Sequence, residues 1–388
     1  MRTPVVSDLL FLFSSAPPDR PNYKRGVLDA LCYPNGHILE FSYKKSYLQP
    51  PLFEERNALN GAAGAIVFVD FKRISDPTPD HLFIPIRFAR ILAVSPKEEA
   101  KAYRDTTRVY VRVELKDLIP FDPKWDSAIK ALSGRPTPPA GPGSGGKSYF
   151  YVVRGSNPFA EKSDFSQRDI WDHLIEHVAQ AATLRSCVFL STGHIRPFVG
   201  PSPCDLVPRG SEQKAYTLKP NAIYRLDLRV FEPGTLAATS LPEIEVRSSS
   251  DLIGVSTPFA TAVGGPADHS VLIACKRTIE STLATLVVDI SAKTLVSGST
   301  PGQQVGSMDV VGAKPRYLLS IEPPKAIVRW FIVLIFFGFF LTSTSKEFYA
   351  DWVCWPEQFA VFSKVFGAAC LAWAGYLAFR KLPSAGSG

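Results

Sequence analysis

Residues 224–230 read YRLDLRV, and in them Leu226, Leu228 and Val230 alternate with Arg225, Asp227 and Arg229. Successive side chains of a strand point to opposite faces. The spacing therefore predicts an antiparallel strand with one apolar face and one face turned to water. The same signature, as period-2 alternation or as β-branched and aromatic runs, recurs on both sides. Upstream it marks 38–43, 65–71, 82–94 and 109–115. Downstream it marks 243–246, 270–274, 283–290 and 316–321. Turn residues fall between the runs at short intervals, as in sandwiches and barrels. The expected class is mainly β.

Composition shifts divide the chain. GRPTPPAGPGSGGK at 134–147 is almost wholly Pro, Gly and small residues, a linker by composition. GPSPCDLVPRGSEQK at 200–214 reads as an exposed loop. It contains LVPRGS at 206–211, identical to a thrombin recognition sequence, and is set aside from functional argument. Residues 1–133 then form a β-barrel-like N-terminal module, and 215–323 a β-sandwich-like, membrane-proximal one. Between the breaks, 148–199 reads as a small α/β element: strand 148–153, helix 167–183, strand 187–190. Ser166 can cap that helix, with Asp169 at its third position. Phe165 and Ile170 have the spacing of a hydrophobic staple.

The last segment, 326–381, differs from everything before it. AIVRWFIVLIFFGFFLTST at 326–344 and FAVFSKVFGAACLAWAGYLAF at 359–379 are apolar runs of about the length needed to cross roughly 30 Å of hydrocarbon. The expectation is a two-helix transmembrane hairpin. Lys325, Arg329 and Trp330 at one end, Lys364 near the start of the second run, and Arg380 and Lys381 at its end are the expected interfacial anchors. Gly338, Gly367, Ala368, Ala372 and Gly375 are the small residues that would let helices approach in lipid, within the hairpin or between copies. Lys314 and Arg316 add to the basic flanks, whereas the connecting loop carries three acids and one lysine. Basic flanks stay in the cytoplasm. Both termini and the β-rich bulk are thus expected inside, on a two-span protein of the inner membrane.

Catalytic signals are weak. The net charge of +7 is not gathered into Lys/Arg blocks, which gives no clear nucleic-acid signal. The six cysteines are scattered without a C-x-x-C pair. GPGSGGKS at 141–148 fits the P-loop string at Gly141, Gly146, Lys147 and Ser148. It follows a proline-rich stretch and precedes a strand, so the helix N-terminus that a phosphate cradle needs is missing. His173, Glu176 and His177 spell H-x-x-E-H on the helix at 167–183, but no third ligand is evident nearby. The remaining histidines, His37, His81, His194 and His269, sit singly. No catalytic residue, metal or cofactor is assigned.

The function expected is that of a non-enzymatic membrane protein. Its partners are the bilayer, a cytoplasmic protein and further copies of itself. The β-rich part would sense or bind, and the hairpin would oligomerise and perturb the membrane. That layout is similar to the two-span effectors of bacterial antiviral systems, a likeness of layout alone. The alternatives are a scaffold that recruits partners to the membrane, and a tethered enzyme dependent on zinc or nucleotide.

Overall fold

DLLFLFSS, Asp8–Ser15, forms the first strand, β1. Leu10 and Leu12 enter one apolar cluster, while Leu9, Phe11 and Phe13 enter another. A strand covered on both faces reads as an unbroken apolar run, so alternation does not mark it. The structure is a computed structural model. It describes residues 8–15, 21–71, 81–97, 107–133, 152–159, 165–181, 184, 187–209, 213–231, 242–256, 259–260, 267–278, 280–292, 312–323, 325–343 and 357–381. The Pro/Gly stretch with its P-loop string and the loop between the two apolar runs lie outside these residues.

Around β1 the chain places α1 (Pro21–Cys32), β2 (Ile38–Lys44), α2 (Pro50–Glu54), β3 (Ala63–Phe71), β4 (His81–Lys97), β5 (Arg108–Leu118), α3 (Lys124–Ser133) and β6 (Val152–Ser156). The sheet order is β2-β5-β4-β3-β1-β6. β1 and β3 are parallel and the other neighbours antiparallel. Beyond β2 the chain crosses to the far edge, where Leu48 bridges Val152 and the Gln49 amide donates to the Val152 carbonyl at 3.0 Å. The sheet thus curls into a half-barrel. Its inner face takes Val27, Leu28 and Leu31 of α1. Its outer face is capped by Ile129 of α3 together with Phe159. β6, expected to belong with the following helix, instead closes this sheet beside β1.

The second half begins with α4 (Gln167–Val178) and β7 (Phe189–Thr192). Ser166 caps α4 and accepts the Asp169 amide at 3.2 Å. Phe165, the expected staple residue, remains 70% exposed. There follow β8 (Arg196–Pro197), β9 (Leu206–Arg209), β10 (Gln213–Leu218), β11 (Ile223–Phe231), β12 (Pro242–Ser248), β13 (Ile253–Val255), β14 (Phe259–Ala260), β15 (Ala267–Cys275), β16 (Thr282–Ala292) and β17 (Arg316–Ile321). One sheet runs β13-β15-β11-β7, with β8 and β14 at its margins; the other runs β12-β16-β17-β10-β9. Leu226, Leu228 and Val230 share one core with Leu286, Val288, Leu319 and Ile321, a β-rich arrangement consistent with a sandwich. The stretch expected as an open loop over 200–214 contains a strand. β9 pairs with β10, and Arg209 forms an ion pair with Glu322. Asn221 adopts φ 57° in the Pro220–Asn221 turn before β11, a position that asparagine tolerates.

No boundary of packing separates the halves. Trp171, Cys32, Phe189 and Tyr317 belong to the same apolar cluster as the half-barrel interior and the sandwich. After β17 the chain enters α5 (Lys325–Ser343), which packs against α6 (Glu357–Lys381). Side chains are described over 332–343 of α5 and 361–375 of α6. Among the described residues no helix is long and apolar enough to cross a membrane.

Candidate functional site: an arginine-rich cleft at the junction

The polar face of β11 does not look into open solvent. Arg225, Asp227 and Arg229 form one wall of a cavity of about 470 Å³. Tyr33, Asn35 and Arg87 line it from the half-barrel, and Gln167 and Arg168 from the first turn of α4. Thr192 of β7 and His194 after it, and Asp268 and His269 of β15 complete it. The alternation of YRLDLRV gives β11 this geometry. Its even positions are in the sandwich core, so its odd positions must project to the other side of the sheet.

Five arginines and two aspartates line the cleft. Asp227 accepts from Arg196 Nη2 at 2.5 Å, Arg225 Nε at 2.5 Å and Ser270 Oγ at 2.9 Å. Arg229 donates to both oxygens of Asp172, at 2.7 and 2.6 Å, and to Asp268 at 2.7 Å. Asp268 also pairs with Arg168. Burial would lower the Arg229 pKa, but its bonds to Asp172 and Asp268 outweigh this and raise it. The two carboxylates on the wall thus hold guanidinium groups in fixed orientations.

Arg87 is built differently. It is 4% exposed, and among the described residues its hydrogen bonds go to carbonyl oxygens rather than to a carboxylate. Its Nε donates to Lys116 O at 2.5 Å, Nη1 to Ala30 O at 2.9 Å and Tyr33 O at 2.5 Å, and Nη2 to Asn35 Oδ1 at 2.5 Å. Both ladders of β4 shift register around this residue. Such bulges re-aim a side chain, here toward the end of α1 and the edge of the cleft. Burial lowers its pKa to about 10, so it remains a cation at neutral pH.

Behind the wall lies a buried polar cluster. Tyr216 Oη sits 3.1 Å from His37 Nε2 and 2.9 Å from His194 Nδ1. Burial lowers the pKa of both histidines, aided by the charge of Arg87. With both rings neutral, the hydroxyl donates to one and accepts an N–H from the other. Thr192 Oγ1 donates to Cys32 O at 3.0 Å and bonds the Tyr317 hydroxyl. Trp171 Nε1 donates to Leu31 O at 3.0 Å. The Arg316 amide donates to Tyr33 Oη at 2.7 Å. These bonds fasten the half-barrel to the sandwich at the floor of the cleft.

The residues singled out from sequence fall elsewhere. Gly338 and Gly367 meet at the crossing of α5 and α6. A Cβ on Gly338 would lie 2.7 Å from Leu371 Cγ, and one on Gly367 would lie 3.0 Å from Gly338 O. Ser363, Gly367, Cys370 and Ala374 form the buried stripe of α6. Ala368 and Ala372 are exposed, and a Cβ on Gly375 would meet nothing within 4 Å. Lys325, Arg329 and Trp330 lie in the first turns of α5, and Arg380 and Lys381 at the end of α6. Lys364 is exposed on α6. His177 stacks on Phe121 at 3.9 Å, and His173 stands 4.8 Å from it, ring to ring. Among the described residues no third His, Cys, Asp or Glu joins them in a metal-binding group.

The cleft escaped the sequence reading because its residues come from α1 and the turn after it, β4, β5, α4, β7 and the turn after it, β8, β11 and β15. The one local signal was the pair of arginines flanking Asp227 on a single strand face. No family model, curated protein or solved structure matches the chain.

Proposed function

We propose that this is a membrane-anchored, non-enzymatic binding protein. The α5–α6 hairpin sits in the bilayer, and the β-rich body lies in the cytoplasm and recognises a partner. One observation carries the reading. Apart from the seam between the helices, the described hairpin turns mostly apolar side chains outward, Lys364 being an exposed charge among them: Phe336 is 72% exposed, Phe339 62%, Val365 63% and Trp373 57%. A water-facing helix would carry a polar stripe there. Lipid is the solvent in which such faces cost nothing. The apolar runs of the sequence extend past the described side chains at the start of α5 and at both ends of α6. The basic residues before α5 and at the end of α6 place both on the cytoplasmic side by the positive-inside rule. Self-association of the hairpin, and with it an effector-like action on the membrane, is the further step of this proposal.

Topology labelling tests it. Cys32, Cys187, Cys275 and Cys370 are buried and Cys204 is partly exposed, so in a Cys204→Ser background a membrane-impermeant maleimide on intact spheroplasts should react with Cys354 in the connecting loop. An added probe, Asp251→Cys on the exposed turn before β13, should label only after permeabilisation. Labelling of Asp251→Cys from outside would reverse the orientation. Recovery of the unmodified full chain in the soluble fraction would remove the membrane from the account.

A further inference from the structure

The cleft described above has features that partner binding by the body does not use. Arg168, Arg196 and Arg225 each commit one N–H to an aspartate. A guanidinium has five donors in a rigid fork, so most of each fork is unspent. These side chains are 60%, 36% and 35% exposed, reachable from the cavity without unfolding anything. They arise from three elements, α4, β8 and β11, and they line one volume. Asp227 and Asp268 fix their directions but do not balance the positive charge of the wall. One further group is unspent. His194 uses Nδ1 on Tyr216 and leaves Nε2. α4 also starts at the rim, so the positive end of its dipole adds to the field.

We propose that this cleft is a binding site for a small phosphorylated molecule. Arg168, Arg196 and Arg225 hold the phosphoryl oxygens, and His194 adds a hydrogen bond. Planar forks held by carboxylates match tetrahedral oxyanions in a bidentate way that ammonium groups cannot. The volume of about 470 Å³ lies in the range of small-molecule sites. It is too small to admit a helix about 10 Å across, which favours a metabolite over a protein segment. Asp227 and Asp268 do not repel the ligand as free carboxylates would, because each is neutralised by two arginines. The inference goes beyond membrane anchoring and stands whether or not the hairpin enters lipid.

The test uses the purified full chain in detergent micelles at fixed ionic strength, titrated calorimetrically with inorganic pyrophosphate and, separately, with citrate. Saturable pyrophosphate binding at least about tenfold tighter than citrate binding is expected, a ratio set by the geometry of the forks. Arg225→Gln should weaken it about tenfold, one charge-assisted contact. Should Arg225→Gln fail to fold, Arg168→Gln at the exposed rim serves in its place, with Arg168→Lys restoring charge but not the fork and so remaining weak. Absence of pyrophosphate binding, equal affinity for citrate, or full rescue by Arg168→Lys would each overturn the proposal.

Discussion

At the scale of single residues, the body holds two titrating groups that work against each other. Burial raises the Asp29 carboxyl from 3.8 to about 6, against the opposing pull of Arg25. The folded chain therefore binds this proton more tightly than the unfolded chain does. The stability it contributes is complete below pH 3.8 and is lost as pH rises through 6. Burial lowers His37 from 6.5 to about 3, helped by the charges of His194, Arg87 and Lys214. Its contribution is complete above pH 6.5 and is lost as pH falls through 3. Between pH 4 and 6 the two slopes have opposite signs and offset each other. Asp29→Asn should expose the His37 slope, so that the variant gains roughly 3 kcal/mol of stability between pH 4 and pH 6. Urea midpoints of both proteins at the two pH values measure this. A variant as flat as the parent would show that His37 is not held neutral by its surroundings.

Among the elements, β11 and α6 show how one pattern serves different ends. The alternation in YRLDLRV was legible at once as a strand. That its polar face forms a cleft wall was not, because alternation reports two environments without naming the second. On α6 the small residues were legible as a group, but not their division. Helix packing buries positions spaced at 363, 367, 370 and 374, the recurrence of one side of a helix. Residues 368 and 372 consequently turn outward. The glycines test this division. Gly367→Ala places a methyl 2.9 Å from Leu341 Cβ and 3.0 Å from Gly338 O, and should cost about 1–3 kcal/mol of hairpin stability as overpacking. Gly375→Ala, with open space around it, should cost nothing; circular dichroism during denaturation in mixed micelles compares the two. Equal losses at the two positions would mean that the helices do not cross at Gly367.

For the molecule as a whole, the two β-rich halves share one core, and the consequence is cooperative unfolding. Trp171 is 1% exposed and its indole N–H bonds Leu31 O across the junction. Trp171→Ala should cost about 3–5 kcal/mol. Hydrogen exchange read by mass spectrometry should then show β3 in the half-barrel and β16 in the sandwich losing protection together. Retained protection in β16 while β3 opens would indicate independent halves. Much of this architecture was readable in the chain. Period-2 alternation located β2, β5, β11 and β16 because one face of each is buried more completely than the other. Ser166 and Asp169 located the start of α4, since capping is a local bond. Both apolar runs at the C-terminus were visible because water-facing helices typically carry a polar stripe and these runs have none. Other features depended on tertiary structure. β1 is apolar on both faces and shows no period. β6 joins β1 from 137 residues away by register alone. The cleft gathers residues from eight elements whose spacing in sequence carries no trace of their meeting. Local periodicity is set by backbone geometry and can be read from neighbours. A site assembled across elements is set by which faces remain once the core is packed, and that is decided only in three dimensions.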